Sequence, residues 1–86
     1  MSNRVLFVDD EPNVLDGIRR QLRNRLDVET ATGAAAGLAL IESKGPFAVV
    51  VSDMRMPEMT GVELLERAMR TGKASALGPE LSLRGL

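Results

Sequence analysis

At 86 residues the chain has room for one domain, and a domain of that size buries only roughly 60–65% of the surface its unfolded chain exposes. Phe7 and Phe47 are the sole aromatics, so the core must be built from Val, Leu, Ile, Ala and Met, and no stacking platform for single-stranded nucleic acid can form. A net charge of −1 with acids and bases interspersed leaves no basic stripe, and the absence of Cys and His excludes disulfides, thiolate metal sites and Ser-His-Asp or Cys-His chemistry.

Val5 to Val8 is a continuous apolar run ended by Asp9-Asp10-Glu11-Pro12, the pattern of a strand buried on both faces. Pro12 suits the first turn of a helix, where its missing N–H costs nothing. Val14, Leu15, Ile18 and Leu22 then recur at helical spacing, and the helix is predicted to end near Arg25. Arg19, Arg20, Arg23 and Arg25 are read as its solvated face rather than as a nucleic-acid footprint. Val28 to Ala31 reads as a short second strand. Thr32 is expected to cap a helix from Gly33 to about Lys44, with Ala35, Leu38 and Ile41 as its apolar stripe and Gly45-Pro46 as its terminator.

Phe47 to Val51 is the strongest strand signal, apolar and largely β-branched, stopping at Ser52-Asp53. A loop from Met54 to Met59 follows; its methionines read as loop packing more readily than as a partner groove. Thr60 and Glu63 match a capping box, and Gly72 suits the position after the last turn of a third helix. Beyond Gly72 no strand-like run is evident. Leu77, Leu81, Leu83 and Leu86 fit either a disordered tail or a patch that packs on a partner. The expected division is therefore a (βα)3 domain over 1–72 and a tail over 73–86. The β-α-β-α-β-α alternation predicts an α/β fold with a parallel sheet, right-handed crossovers and helices on both faces.

In such a sheet ligands bind at the carboxyl ends of the strands. If the first and third strands are neighbours, Asp9, Asp10 and Asp53 converge on one rim. Three like charges so close repel unless a cation lies between them, and an all-oxygen cluster selects a hard ion, Mg²⁺ before softer metals. A plainer reading makes Asp9, Asp10 and Glu11 an acidic cluster opposing a helix dipole, and Asp53 a turn residue.

Val5-Leu6-Phe7-Val8-Asp9-Asp10-Glu11-Pro12 resembles the first strand and acidic pair of a response regulator receiver domain, and the segment from Val49 to Gly61 resembles its phosphoacceptor strand and loop. The resemblance covers residues 4 to about 70. It implies a flavodoxin-like receiver topology, here abbreviated to about (βα)3, that serves two-component signal transduction. It also implies that a sensor histidine kinase phosphorylates Asp53, with Mg²⁺ held by Asp9, Asp10, Asp53 and the backbone carbonyl of Arg55. Pro57 and Gly61 would shape the loop. Such a module is a phosphoacceptor rather than an enzyme, at most catalysing its own phosphotransfer and dephosphorylation. In the family a fourth strand ends in a Ser or Thr and a fifth in a Lys, both facing the phosphoryl group. Ser75, Ser82 and Lys73 lie in no strand-like context, so neither role is transferred to them.

Two other functions compete. A receiver that has lost its switch would act as a dimerising or competing interaction module. An aspartate-nucleophile phosphatase would need a second Asp where Arg55 stands. With no fourth strand, the Phe47–Val51 edge would be bare and would template a homodimer through antiparallel pairing. No apolar run approaches the roughly 20 residues of a membrane span, and no signal-peptide apolar region follows Met1 to Arg4, so a cytoplasmic protein with no membrane or direct nucleic-acid partner is expected.

Overall fold

The computed structural model describes residues 4–22, 24–53, 56, 57 and 59–72, and the course of the main chain over 74–79. The elements are β1 (Arg4–Asp9), α1 (Pro12–Leu22), β2 (Asp27–Thr32), α2 (Ala34–Lys44), β3 (Phe47–Ser52), α3 (Gly61–Thr71) and β4 (Ala74–Pro79). All pairings are parallel and the strand order is β2-β1-β3-β4. This is the parallel α/β sheet expected from the alternation, in the flavodoxin-like strand order that the resemblance implies, with β1 and β3 side by side.

The continuous apolar runs acquire their meaning from burial on both faces. Along β1, Val5 and Phe7 point to one side and pack with Leu15 and Ile18 of α1. Leu6 and Val8 point to the other side, where Ile41 of α2, Leu64 and Ala68 of α3, Phe47 and Val50 complete the larger core. Met56 is buried in that core and Met59 packs against it, so these two loop methionines serve packing; Met54 lies outside the described residues. At the amino end of the sheet the Arg4 guanidinium lies 4.8 Å from the centroid of the Phe47 ring and 3.6 Å from Glu29, which Lys44 also approaches at 3.7 Å. Arg19, Arg20 and Arg25 are exposed, as a solvated helix face requires; Arg23 lies outside the described residues.

Two boundaries differ from expectation. Helix α1 spans Pro12–Leu22, three residues short of the expected end, and in the turn that follows the Arg25 and Leu26 amides both donate to the Leu22 carbonyl (2.9 and 3.0 Å). The N-cap of helix α2 is not Thr32, which ends β2, but Gly33, which has no side chain with which to cap. Gly33 has φ 95°, a conformation that favours glycine, and its amide reaches the Asp9 carbonyl at 2.9 Å, tying the helix start to the end of β1. At α3 the expectations hold: the Thr60 hydroxyl accepts from the Glu63 amide at 3.2 Å, and Gly72 closes the helix in the left-handed region at φ 67°.

The larger correction concerns the tail. Ala74 to Pro79 forms a fourth strand, in register with β3 from Phe47↔Ala74 to Ser52↔Pro79. Its sequence is poor in β-branched residues, so local propensity gave no sign of it; the open apolar edge of β3 supplies the ordering instead. The edge predicted to carry a homodimer, Phe47 to Val51, is thus occupied by the chain's own strand, and the structural basis of that dimer is removed. Residues 80–86, with Leu81, Leu83 and Leu86, lie outside the described residues.

Close packing of α2 on β1 makes one position sensitive. A Cβ added at Gly37 would stand 2.8 Å from Cγ2 and 3.0 Å from Cγ1 of Val8. Val8 is fully buried and its β-branched side chain cannot swing aside. Gly37→Ala gains up to about 1 kcal/mol of helix propensity, but overpacking of this kind costs about 1–3 kcal/mol. The net expectation is a loss of about 1 kcal/mol, read as a lower urea midpoint at unchanged slope.

Candidate functional site

The site is built where β1 and β3 end. Asp9 is the last residue of β1 and is fully buried. One of its carboxylate oxygens accepts the Glu11 amide at 2.8 Å, an Asx-type turn that carries the chain off the strand and into α1. Its carbonyl accepts the Gly33 amide. Asp9 therefore orders the two connections flanking it as well as contributing a carboxylate. Asp10, next in the chain, is exposed. Asp53 follows β3 and is buried, and its amide donates to the Val8 carbonyl at 2.9 Å, continuing the β1–β3 ladder one step past the strand.

These three residues meet: a carboxylate oxygen from each of Asp9, Asp10 and Asp53 lies within 4.8 Å of the others. Desolvation is the largest influence on Asp10 and raises its carboxyl above the ordinary carboxylate range. The hydrogen bond with Asp9 and the negative charges of Asp9 and Asp53 push it the same way, and a backbone hydrogen bond only partly offsets them. Three oxygen donors of like charge on one rim, one exposed and two buried, form a donor set suited to a hard divalent cation.

The structure thus brings together the three aspartates selected from sequence. Arg55 lies outside the described residues. Ser75 stands near the amino end of β4, away from the rim, and the rim positions of β4 are Gly78 and Pro79, in register with Val51 and Ser52. Two features escaped the sequence reading. One is the complete burial of Asp9, for which its place inside a β1 flanked on both sides by strands is the cause. The other is Ser52, fully buried, whose hydroxyl donates to the Asp53 carbonyl at 3.0 Å. No helix among the described residues is long and apolar enough to cross a membrane.

Comparison with known proteins gives a consistent result. The family profile described as the response regulator receiver domain matches residues 5–76. Two-component response regulator ORR24 of Oryza sativa subsp. japonica is 45% identical over 65 residues, which is 73% of this chain and 10% of that protein. The chain spans about a tenth of the length of the curated plant regulators it matches. Among solved structures, response regulator TrrA of Thermotoga maritima, in complex with Mg(2+)-BeF, superposes with a TM-score of 0.78 at 29% identity, covering 93% of this chain and 70% of that one. The CheY-like receiver domain protein of Methanospirillum hungatei does so with a TM-score of 0.76 at 28% identity, covering 93% and 82%.

Proposed function

We propose a function from one premise: this chain belongs to the response regulator receiver domain family. Receivers are phosphoacceptor modules of two-component signalling. We infer that Asp53 is the acceptor here and that a sensor histidine kinase is the donor, which places the module in the cytoplasm. The observation that carries this reading is the meeting of Asp9, Asp10 and Asp53 within 4.8 Å at the carboxyl end of the sheet.

In the proposed reaction an Asp53 carboxylate oxygen attacks the phosphorus of the kinase's phosphohistidine in line. The new O–P bond forms as the P–N bond breaks, its electron pair returning to the imidazole, and Asp53 becomes an acyl phosphate. Hydrolysis of that anhydride later restores the carboxylate. Asp9, Asp10, Asp53 and the backbone carbonyl of Arg55 are the groups that would hold Mg²⁺, and their all-oxygen chemistry fits it. When bound, the ion supplies positive charge against the phosphoryl oxygens. Among this chain's own residues, Asp9 and its two backbone partners keep the neighbouring connections in place, and the Val8 carbonyl holds the Asp53 amide. Among the described residues the rim of β4 carries Gly78 and Pro79, neither of which bears a hydroxyl, so phosphotransfer is expected to be slow.

The test uses acetyl phosphate with Mg²⁺ and intact-mass spectrometry. The wild type is expected to gain one phosphoryl group and Asp53→Asn none. Equal incorporation in the two would put the acceptor elsewhere and overturn the assignment.

A further inference from the structure

We infer that Ser52 is a positioning residue for Asp53, setting its carboxylate toward Asp9 and Asp10 through the backbone; the inference rests on the reading of the three aspartates as a cation and phosphoryl site. Asp53 lies where the regular strand gives way to a loop, so its φ and ψ are not fixed by the β3 ladder alone. Two hydrogen bonds take over that task. The Asp53 amide is held by the Val8 carbonyl at 2.9 Å, and the Asp53 carbonyl is held by the Ser52 hydroxyl at 3.0 Å. The peptide groups on both sides of its Cα are thereby pinned, and with them the direction of the Cα–Cβ bond.

Such pinning matters because the carboxylate is held against a force. With oxygens of three acids within 4.8 Å, mutual repulsion drives Asp53 away from β1, and rotation about its φ, which swings Cβ and the carbonyl together about the held amide, is the backbone escape that holding the carbonyl blocks. A cation recovers the repulsion only if the carboxylate waits within reach, which is the role of a supporting group that touches neither ion nor phosphoryl. Ser52 is suited to this role by its place. It pairs with Val8 on one side and Pro79 on the other, shares the face of Val50, and is fully buried, so water does not compete for its hydroxyl.

A plain alternative is that Ser52 turns to the nearest carbonyl only to satisfy its own buried hydroxyl. Threonine and valine separate the two, being alike in shape and differing in that hydroxyl. Ser52→Thr is expected to keep Mg²⁺ affinity, by calorimetry, within about twofold of the wild type, whereas Ser52→Val weakens it by about tenfold, the lower end of what loss of a ligand's support costs. Hydrogen exchange at the Asp53 amide in the metal-free chain is expected to be faster in Ser52→Val than in Ser52→Thr. Equal Mg²⁺ affinities in the two variants, whether both retained or both lost, overturn the inference. A wild type that binds Mg²⁺ yet takes up no phosphoryl group fails the acceptor reading alone, and the affinities still decide the role of Ser52. A wild type that binds no Mg²⁺ fails the metal reading, and the exchange rates then tell separately whether the hydroxyl holds Asp53.

Discussion

Val50→Lys is expected to leave the chain unfolded at 25 °C, at every protein concentration. Val50 is fully buried at the middle of β3, paired with Leu6 of β1 on one side and Leu77 of β4 on the other. The substitution forfeits about 1.5–3 kcal/mol of apolar burial and adds an unpaired charge, for which the effective penalty is several kcal/mol more. A chain of this length has a total stability of only about 4–13 kcal/mol. Because β3 is enclosed by strands of its own chain, raising the concentration cannot restore what is lost. Circular dichroism across a wide concentration range checks this. Recovery of structure at high concentration would mean that β3 pairs between chains after all and that the intramolecular β3–β4 pairing is wrong.

Asp10→Ala is expected to weaken Mg²⁺ binding by more than about 100-fold, beyond the 10- to 100-fold typical when a group that merely supports a ligand is removed. The wild-type affinity is expected to be roughly millimolar to sub-millimolar, as for a few carboxylates around an ion that keeps several waters. The same change should also alter the pH dependence of folding, in a direction that follows from the raised Asp10 carboxyl. Between the unfolded value of about 4 and the higher folded value, the native chain binds more protons than the unfolded chain. Metal-free stability therefore falls as pH rises through that window, and the loss persists above it. Asp10→Ala abolishes this component, so the metal-free variant is the more stable near neutral pH even as it loses the ion. Urea titrations at several pH values, with and without Mg²⁺, separate the effects. Unchanged Mg²⁺ affinity in the variant would rule out the proposed site.

How much of this was legible depended on where the information resides. The continuous runs at Val5–Val8 and Phe47–Val51 announce strands buried on both faces, because nothing else in a small domain requires unbroken apolar stretches so short. Their terminal acids could be placed on one rim as soon as the strand order was taken to set the first and third strands side by side. Thr60 and Gly72 are local chemistry and read directly. Other features depend on tertiary context. Thr32 is a better cap than Gly33 by residue type, yet only Gly33 takes the backbone angle that lets its amide meet the Asp9 carbonyl. The strand from Ala74 to Pro79 has almost no intrinsic signal and owes its form to the neighbouring edge. Ser52 looked like a mere strand terminus, because a hydroxyl turned onto the following residue's carbonyl leaves no periodic trace.

The strands that end at Asp9 and Ser52, just before Asp10 and Asp53, touch in space but are separated along the chain by α1, β2 and α2. Asp9 and Asp10 lie in the first half of the chain and Asp53 in the second, so the three-aspartate rim exists only after β1 and β3 have joined. Any ion captured there is captured by the folded chain alone. If the rim binds Mg²⁺ as proposed, mass action makes the ion a partner in folding: at a hundredfold excess over its Kd it would deepen the native well by about 2.7 kcal/mol, a large share of what a domain this small possesses. Occupancy of the rim and integrity of the sheet become one equilibrium. If Asp53 is the acceptor as proposed, a partly unravelled molecule that has lost the β1–β3 junction loses the three-aspartate rim, and with it the means of accepting a phosphoryl group.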